Sequence, residues 1–138
     1  MADKQALIAA LNEDLNLELE AVLRFIFQSA TATGMLGHEL RESLKEDLAG
    51  ELTHATYLAD KIAALGGEPD IRPNMPRKLK NAKEMLQDCV AAERKIIENY
   101  TQHIKLAEEV GEKGLVIRLE DILAEETEHA EDLERLGR

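Results

Sequence analysis

Two copies of the pattern Glu-x-x-His constrain the fold and the chemistry of this chain more than any other feature. The first copy is residues 51–54 and the second is residues 126–129. Residues three apart lie on the same face of a helix, so each copy can present a carboxylate and an imidazole to one point. A single copy would mean little, because the chain contains 28 acidic residues.

A further glutamate stands at the same distance before each copy. Glu18 lies 33 residues before Glu51, and Glu93 lies 33 residues before Glu126. The chain therefore divides into two similar halves, each with a lone glutamate on one helix and a Glu-x-x-His on the next. This arrangement is typical of four-helix bundles that hold two metal ions.

Composition and hydrophobic spacing predict an all-α protein. The 138 residues include 44% hydrophobic residues but only three prolines, and they are enough for one domain with a core. Apolar residues recur at steps of three and four, and one glutamate interrupts each of four stripes near its middle. We therefore expect an antiparallel four-helix bundle in which residues 1–138 form a single domain.

Capping residues, glycines and prolines predict where the helices begin and end. The three prolines exclude a helix from residues 68–76, which we expect to cross over the length of the bundle. Gly34 and Gly37 are expected to mark the first short turn, and Gly111 and Gly114 the last. The expected helices are 3–33, 38–65, 81–111 (or one turn earlier at its start) and 114–137.

Charge and cysteine content limit the possible partners and the compartment. The formal net charge of −11 disfavours a nucleic-acid partner and attracts cations such as metal ions. The single Cys89 cannot form an internal disulfide, and its apolar stripe predicts a buried core residue. No apolar run approaches the about 20 residues that span a bilayer, and no signal peptide is recognised. We therefore expect no membrane association and a cytoplasmic location.

Six residues are the candidate metal ligands. Burying four carboxylates together is strongly unfavourable without a counter-charge, and two divalent cations would supply one. The two histidines would then serve as neutral nitrogen ligands, and such a mixed set suits iron, manganese or zinc better than calcium. The candidates are Glu18, Glu51, His54, Glu93, Glu126 and His129.

Four other polar residues are less certain members of the site. Tyr100 shares a helix face with Glu93, so it either hydrogen-bonds a ligand or packs in the core. Asp47 either lines a route for ions or is a solvated acid, and the second interpretation is favoured. His38 and His103 lack the Glu-x-x-His context and are expected on the surface.

Over nearly its whole length the chain resembles bacterioferritin. The resemblance rests on Leu11-Asn12-Glu13 before Glu18, Glu51-x-x-His54-Ala55, Leu65-Gly66-Gly67-Glu68-Pro69, Glu93, and Glu125-Glu126-x-x-His129. It implies a di-iron ferroxidase site with two iron ions per subunit. It also implies that Glu18 and Glu93 are terminal ligands, that Glu51 and Glu126 bridge the irons, and that each iron takes one histidine.

Three departures from the bacterioferritin pattern change these expectations. Leu52 stands where bacterioferritins have the methionine that ligates haem, so haem is not expected at that position. Phe25 replaces the tyrosine that the family carries near the site on the first helix. The sequence ends at Arg138 without the family's short fifth helix, which helps to build a 24-subunit shell. We therefore expect a smaller homo-oligomer, a dimer at least, with a 12-mer shell as the larger candidate.

The favoured function is oxidation of Fe(II) by dioxygen or hydrogen peroxide, with iron storage or detoxification if the subunits close into a shell. One alternative is a rubrerythrin-like peroxide reductase, although no Cys-x-x-Cys is present to bind an electron-delivering iron. Another is a non-catalytic helical assembly module, in which replacing Glu51 would change neither metal content nor chemistry.

Overall fold

The computed structural model describes residues 3–138, which form a bundle of four helices. They are α1 (Lys4–Thr31), α2 (Gly34–Ala64), α3 (Ala82–Val110) and α4 (Lys113–Leu136). The predicted all-α bundle with a long crossover between its second and third helices is confirmed. α1 packs mainly on α2, α3 mainly on α4, and α1 also packs on α3. None of the described helices is long and apolar enough to cross a membrane.

Two of the predicted helix starts are formed by side-chain caps. The Asp3 carboxylate accepts a hydrogen bond from the backbone N–H of Ala6 at 2.7 Å, so α1 begins where the sequence predicts. The Asn81 side chain accepts from the backbone N–H of Glu84 at 3.0 Å, and α3 therefore begins at residue 82, not a turn earlier.

Both short turns contain fewer residues than we predicted from the two pairs of glycines. α2 begins at Gly34 with φ of 80°, so Gly37 lies inside the helix. A Cβ at Gly37 would lie 2.8 Å from the backbone carbon of Ala32, which shows that this glycine permits close approach of the two helix ends. Gly111 ends α3 with φ of 89°, and Gly114 is already part of α4.

The crossover is held along α1 by a ladder of hydrogen bonds, and we call residues 68–74 the crossover strap. Three polar residues of α1, spaced four apart, accept hydrogen bonds from the backbone N–H groups of every second strap residue. The strap therefore runs parallel to α1. Asn12 Oδ1 accepts from Asp70 at 2.7 Å, Asn16 Oδ1 from Arg72 at 2.6 Å, and Glu20 Oε2 from Asn74 at 3.1 Å.

Replacing Asn16 with alanine is expected to destabilise the protein by about 1–3 kcal/mol, because strap groups lose their partners. Its Nδ2 also donates to the carbonyl of Asp70 at 2.8 Å, so the variant loses contacts with two strap residues. Urea denaturation monitored by circular dichroism measures the change. The exposed Gln102→Ala on α3 is the control, and equal stabilities of the two variants would contradict the structural role of the ladder.

Candidate metal centre

The four helices bring the six predicted ligands together in the middle of the bundle. Each helix supplies one glutamate at mid-length, and α2 and α4 each add a histidine three residues later. The four glutamates are at most 1% exposed, and His54 is 4% exposed. Carboxylates are almost never buried to this degree without a counter-charge.

The ligand atoms fall into two groups that overlap. In each group the atoms lie within 4.8 Å of one another, which is the spacing expected around a single ion. Two glutamates, Glu51 and Glu126, belong to both groups. The first group also contains Glu18 and His54, and the second also contains Glu93 and His129. The geometry therefore offers two neighbouring cation positions with two carboxylates between them.

The inner nitrogen of each histidine is directed at a shared carboxylate. His54 Nδ1 lies 2.9 Å from Glu126 Oε1, and His129 Nδ1 lies 3.0 Å from Glu51 Oε1. Neither nitrogen has a hydrogen-bond partner, although both are buried. Such proximity without hydrogen-bond geometry is expected of ligands that converge on one ion.

The outer nitrogen of each histidine contacts an acid from the opposite helix. His54 Nε2 lies 2.6 Å from Glu125 of α4, and His129 Nε2 lies 3.4 Å from Asp47 of α2. An acid in this position fixes the ring orientation and leaves the other nitrogen free to bind a metal. The favoured interpretation of Asp47 as a solvated acid is therefore wrong, and its side chain is only 17% exposed. No role was predicted for Glu125 from the sequence.

The four buried carboxylates repel one another when no cation balances their charge. Burial, followed by repulsion from Glu51, raises the pKa of Glu18 well above its usual value. Burial also raises the pKa of Glu93 to about 7 and that of Glu126 far above its usual range. Burial would raise the pKa of Glu51 too, but the close approach of His129, Glu18 and Glu126 lowers it to about 2.

The unsatisfied atoms of the centre fit a pair of metal ions. Both carboxylate oxygens of Glu51, Glu93 and Glu126 are buried without a hydrogen-bond partner, as is one oxygen of Glu18. Buried polar atoms in native proteins are nearly always paired, so a cluster of exceptions calls for a bound group. Oxygen donors with one imidazole at each position suit iron, manganese or zinc.

Tyr100 contacts the centre from α3. Its side chain is fully buried, and its hydroxyl donates a hydrogen bond to Glu18 Oε1 at 2.9 Å. Of the two interpretations left open by the sequence, the hydrogen bond to a candidate ligand is the one observed. Phe25 is also buried, but its ring has no polar atom. The phenol near this centre is thus supplied by α3, not by α1.

The prediction that His103 lies on the surface is wrong. Its side chain is only 12% exposed, and Nδ1 donates to Asp14 Oδ2 at 2.7 Å. Asp14 itself is 2% exposed, and burial raises its pKa to about 6. Asp14 is one helical turn before Glu18 on the same stripe, a signal that could have revealed it. His38 is exposed, as predicted.

Cys89 is buried, as the sequence predicted. Its thiol donates to Gln28 Oε1 at 2.9 Å, and burial raises its pKa to about 12. A thiol with so high a pKa is a poor nucleophile and a poor metal ligand at neutral pH. Cys89 therefore contributes to packing between α1 and α3.

Comparison with known proteins identifies the family to which this fold belongs. The family profile of the ferritin-like domain matches residues 8–137. The chain belongs to the ferritin-like family. The predicted resemblance to bacterioferritin is also confirmed. The bacterioferritin of Desulfovibrio desulfuricans is 29% identical to this chain over 135 residues, which cover 97% of this chain and 75% of that protein.

Two solved structures show how closely this ferritin-like chain follows its relatives. A structure from Bacillus anthracis, described as ferritin-like, diiron-carboxylate proteins, matches with a TM-score of 0.94 and 34% identity over 100% of both chains. The Desulfovibrio desulfuricans bacterioferritin matches with a TM-score of 0.88 and 27% identity, covering 97% of this chain and 79% of that one. The latter structure is described as showing a diiron site in different catalytic states.

Proposed function

We propose that this ferritin-like chain binds two Fe(II) ions and oxidises them with dioxygen or hydrogen peroxide. The observation that carries the proposal is the pair of overlapping ligand groups, with Glu51 and Glu126 common to both. The diiron descriptions of the relatives support iron over other metals. Membership of the ferritin-like family supports a role in iron handling.

Each ligand has a definite part in this proposal. Glu18 and His54 hold one Fe(II), Glu93 and His129 hold the other, and the two shared glutamates bridge them. Two Fe(II) supply two electrons, which together with two protons reduce dioxygen to hydrogen peroxide or hydrogen peroxide to two waters. The protein keeps the two ions close enough to supply both electrons to one oxidant.

Charge balance favours a pair of divalent ions over a single one. The negative charges of four carboxylates balance the positive charges of two divalent cations, and the neutral imidazoles add ligands without adding charge. Manganese or zinc accepts the same donors and can therefore substitute for iron. We exclude haem at position 52 from the proposal, because the side chain of Leu52 contains only carbon and hydrogen.

Anaerobic titration with Fe(II) is expected to end at about two ions per chain, followed by rapid oxidation when dioxygen or peroxide is added. Isothermal calorimetry gives the stoichiometry, and absorbance in the near ultraviolet follows the oxidation. A protein that binds no Fe(II), or binds it without oxidising it, would contradict the proposal. Sustained turnover with an added reductant would instead favour a peroxide reductase.

We also propose that residues 1–138 act as one ferritin-like domain that forms homo-oligomers through the α1/α2 side. Large apolar side chains are exposed on both of these helices, with Ile26 at 52% and Leu52 at 53%. Their burial against a second copy would remove apolar surface from water, the main driving force of association. A dimer is the smallest assembly that this contact predicts.

The combined substitution of Ile26 and Leu52 by glutamate is expected to lower the assembly mass to that of the monomer, because each charge would be buried at the contact. Light scattering after size-exclusion chromatography measures the mass. Ile117→Glu on α4 is the matched control, since Ile117 is also 52% exposed. Equal loss of assembly in the control, or a monomeric wild type, would contradict this interface.

A further inference from the structure

An apolar groove lies at the end of the bundle where α2 and α3 begin and α4 ends, and we call it the end groove. Its volume is about 470 Å³. Three of its side chains, on α2, α3 and α4, pack on the core but keep part of their surface in contact with water. A groove of this kind on a domain surface is typical of a contact with another protein. The apolar residues that line it are Leu36, Leu86, Val90, Ala91, Leu133 and Leu136.

The rim of the end groove is basic, although the chain as a whole carries a net charge of −11. Lys83 of α3 and Arg138 line the groove, and both side chains are exposed. Glu134 lines it too, but its carboxylate pairs with the guanidinium of Arg94 on α3. The end groove therefore favours a partner that combines an apolar side chain with acidic groups beside it.

The first turns of α2 carry that combination of groups. Met35 is 90% exposed, more than any other large apolar side chain of residues 3–138. Glu39 and Glu42 follow it at steps of four and three, so they lie on the same helix face, and both are exposed. A methionine side chain is flexible and adapts to an irregular apolar surface. We call these three residues the α2 knob.

The α2 knob does not fill the end groove of its own chain. Leu36, the residue after Met35, lines that groove, whereas the Met35 side chain lies almost entirely in solvent. A contact between knob and groove therefore joins two copies of the chain. Such a contact is heterologous, because each copy uses its knob with one neighbour and its groove with another.

We propose that a second copy of this chain occupies the end groove, with its Met35 on the apolar floor and its Glu39 beside Lys83. The apolar side chain leaves water in this contact, and the acidic face of the knob meets the basic rim of the groove. The floor of the groove is formed mainly by α3 and α4, so the contact leaves the α1/α2 side free.

The contact rests on the proposed pairing of subunits through the α1/α2 side. A few helical residues in one groove bury less than the roughly 1,000 Å² of surface that a stable interface needs, so single chains do not associate through it alone. A pair of subunits carries two knobs and two grooves, and several weak contacts made together strengthen one another. Pairs of subunits therefore join through their end grooves into an assembly larger than a dimer.

Exchange of the charges across the contact tests the proposal. Glu39→Lys and Lys83→Glu should each reduce the assembly mass to that of the dimer, because each places like charges side by side. The variant that combines both changes restores opposite charges and should recover the wild-type mass, which a folding defect does not predict. Met35→Ser should also leave only the dimer, because it removes the apolar side chain. Light scattering after size-exclusion chromatography measures the mass at one matched concentration.

Lys105→Glu is the matched control, because it makes the same charge change at an exposed position further along α3. It should keep the wild-type mass. A dimeric wild type, or a larger assembly that Met35→Ser and Lys83→Glu leave unchanged, would overturn the end-groove contact and leave the α1/α2 pairing intact. So would a combined charge variant that stays dimeric. A monomeric wild type would overturn the pairing and the end-groove contact together.

Discussion

Replacing either Glu51 or Glu126 with alanine is expected to slow Fe(II) oxidation by ~100-fold or more, because each change removes a ligand from both ion positions. Loss of even an indirect contact to a metal site typically costs 10- to 100-fold, so loss of a shared ligand should cost at least as much. The overlap of the two ligand groups at these residues makes the effect symmetric.

The terminal glutamates should behave differently from the shared ones. Glu18 and Glu93 each belong to one group, so Glu18→Ala and Glu93→Ala should each weaken one ion position and leave the other. Stopped-flow absorbance gives the oxidation rate, and calorimetry gives the Fe(II) stoichiometry. Glu120→Ala, an exposed change on α4, is the control and should match the wild type. Unchanged rates in both bridge variants would refute the assignment of the site.

Metal binding is expected to raise the melting temperature, because the empty centre opposes folding. A ligand that binds only the folded state at 100 times its dissociation constant adds roughly 2.7 kcal/mol of stability. For a chain of this length that corresponds to an increase of roughly 5–15 °C. Calorimetric scans with and without Fe(II), under anaerobic conditions and at matched assembly mass, measure the shift.

The same charges predict how the stability of the apoprotein depends on pH. Glu93 has a pKa raised from 4.5 to about 7, so between these values the folded state holds a proton that the unfolded chain has released. The pKa of His129 is also raised, from 6.5 to about 9. Burial would lower this pKa, but the neighbouring Glu51 and Asp47 outweigh burial, so the folded state holds a second extra proton between these values. Stability should therefore fall as pH rises from about 4.5 to about 9. The pKa of Glu51 is lowered from 4.5 to about 2, so this carboxylate makes stability rise with pH, but only below pH 4.5.

Apo Glu93→Gln is the sharpest check of this charge argument, since it removes one carboxylate at nearly constant volume. The variant should melt above the apo wild type at pH 8, and the difference should shrink toward pH 5, where the carboxyl is protonated. Glu98→Gln, an exposed change on the same helix, should leave the melting temperature unaltered. If Glu93→Gln is no more stable and Fe(II) leaves the melt unchanged, the carboxylates do not form a strained cluster.

The sequence was sufficient to predict the helices and the six residues that converge, for a simple physical reason. A glutamate on an apolar stripe is visible in one helix alone, and the repeated spacing relates the stripes to one another. The pairs His103–Asp14 and His54–Glu125 join different helices, and their register depends on packing that no single stripe records. The turn at Gly34 was misplaced because a glycine with positive φ can open a helix as well as close one.

The crossover strap has a consequence for how the length of this segment can vary among related chains. Four residues of a helix rise about 6 Å, and two residues of extended chain advance about 6.6 Å, so the two repeats nearly match. The polar residues of α1 therefore meet every second residue of the strap. Inserting one residue would turn the N–H and C=O groups beyond the insertion away from α1, because successive residues of an extended chain direct these groups to opposite sides, whereas inserting two would only shift the pairing by one turn. Natural variation at this crossover should thus favour changes of two residues over changes of one.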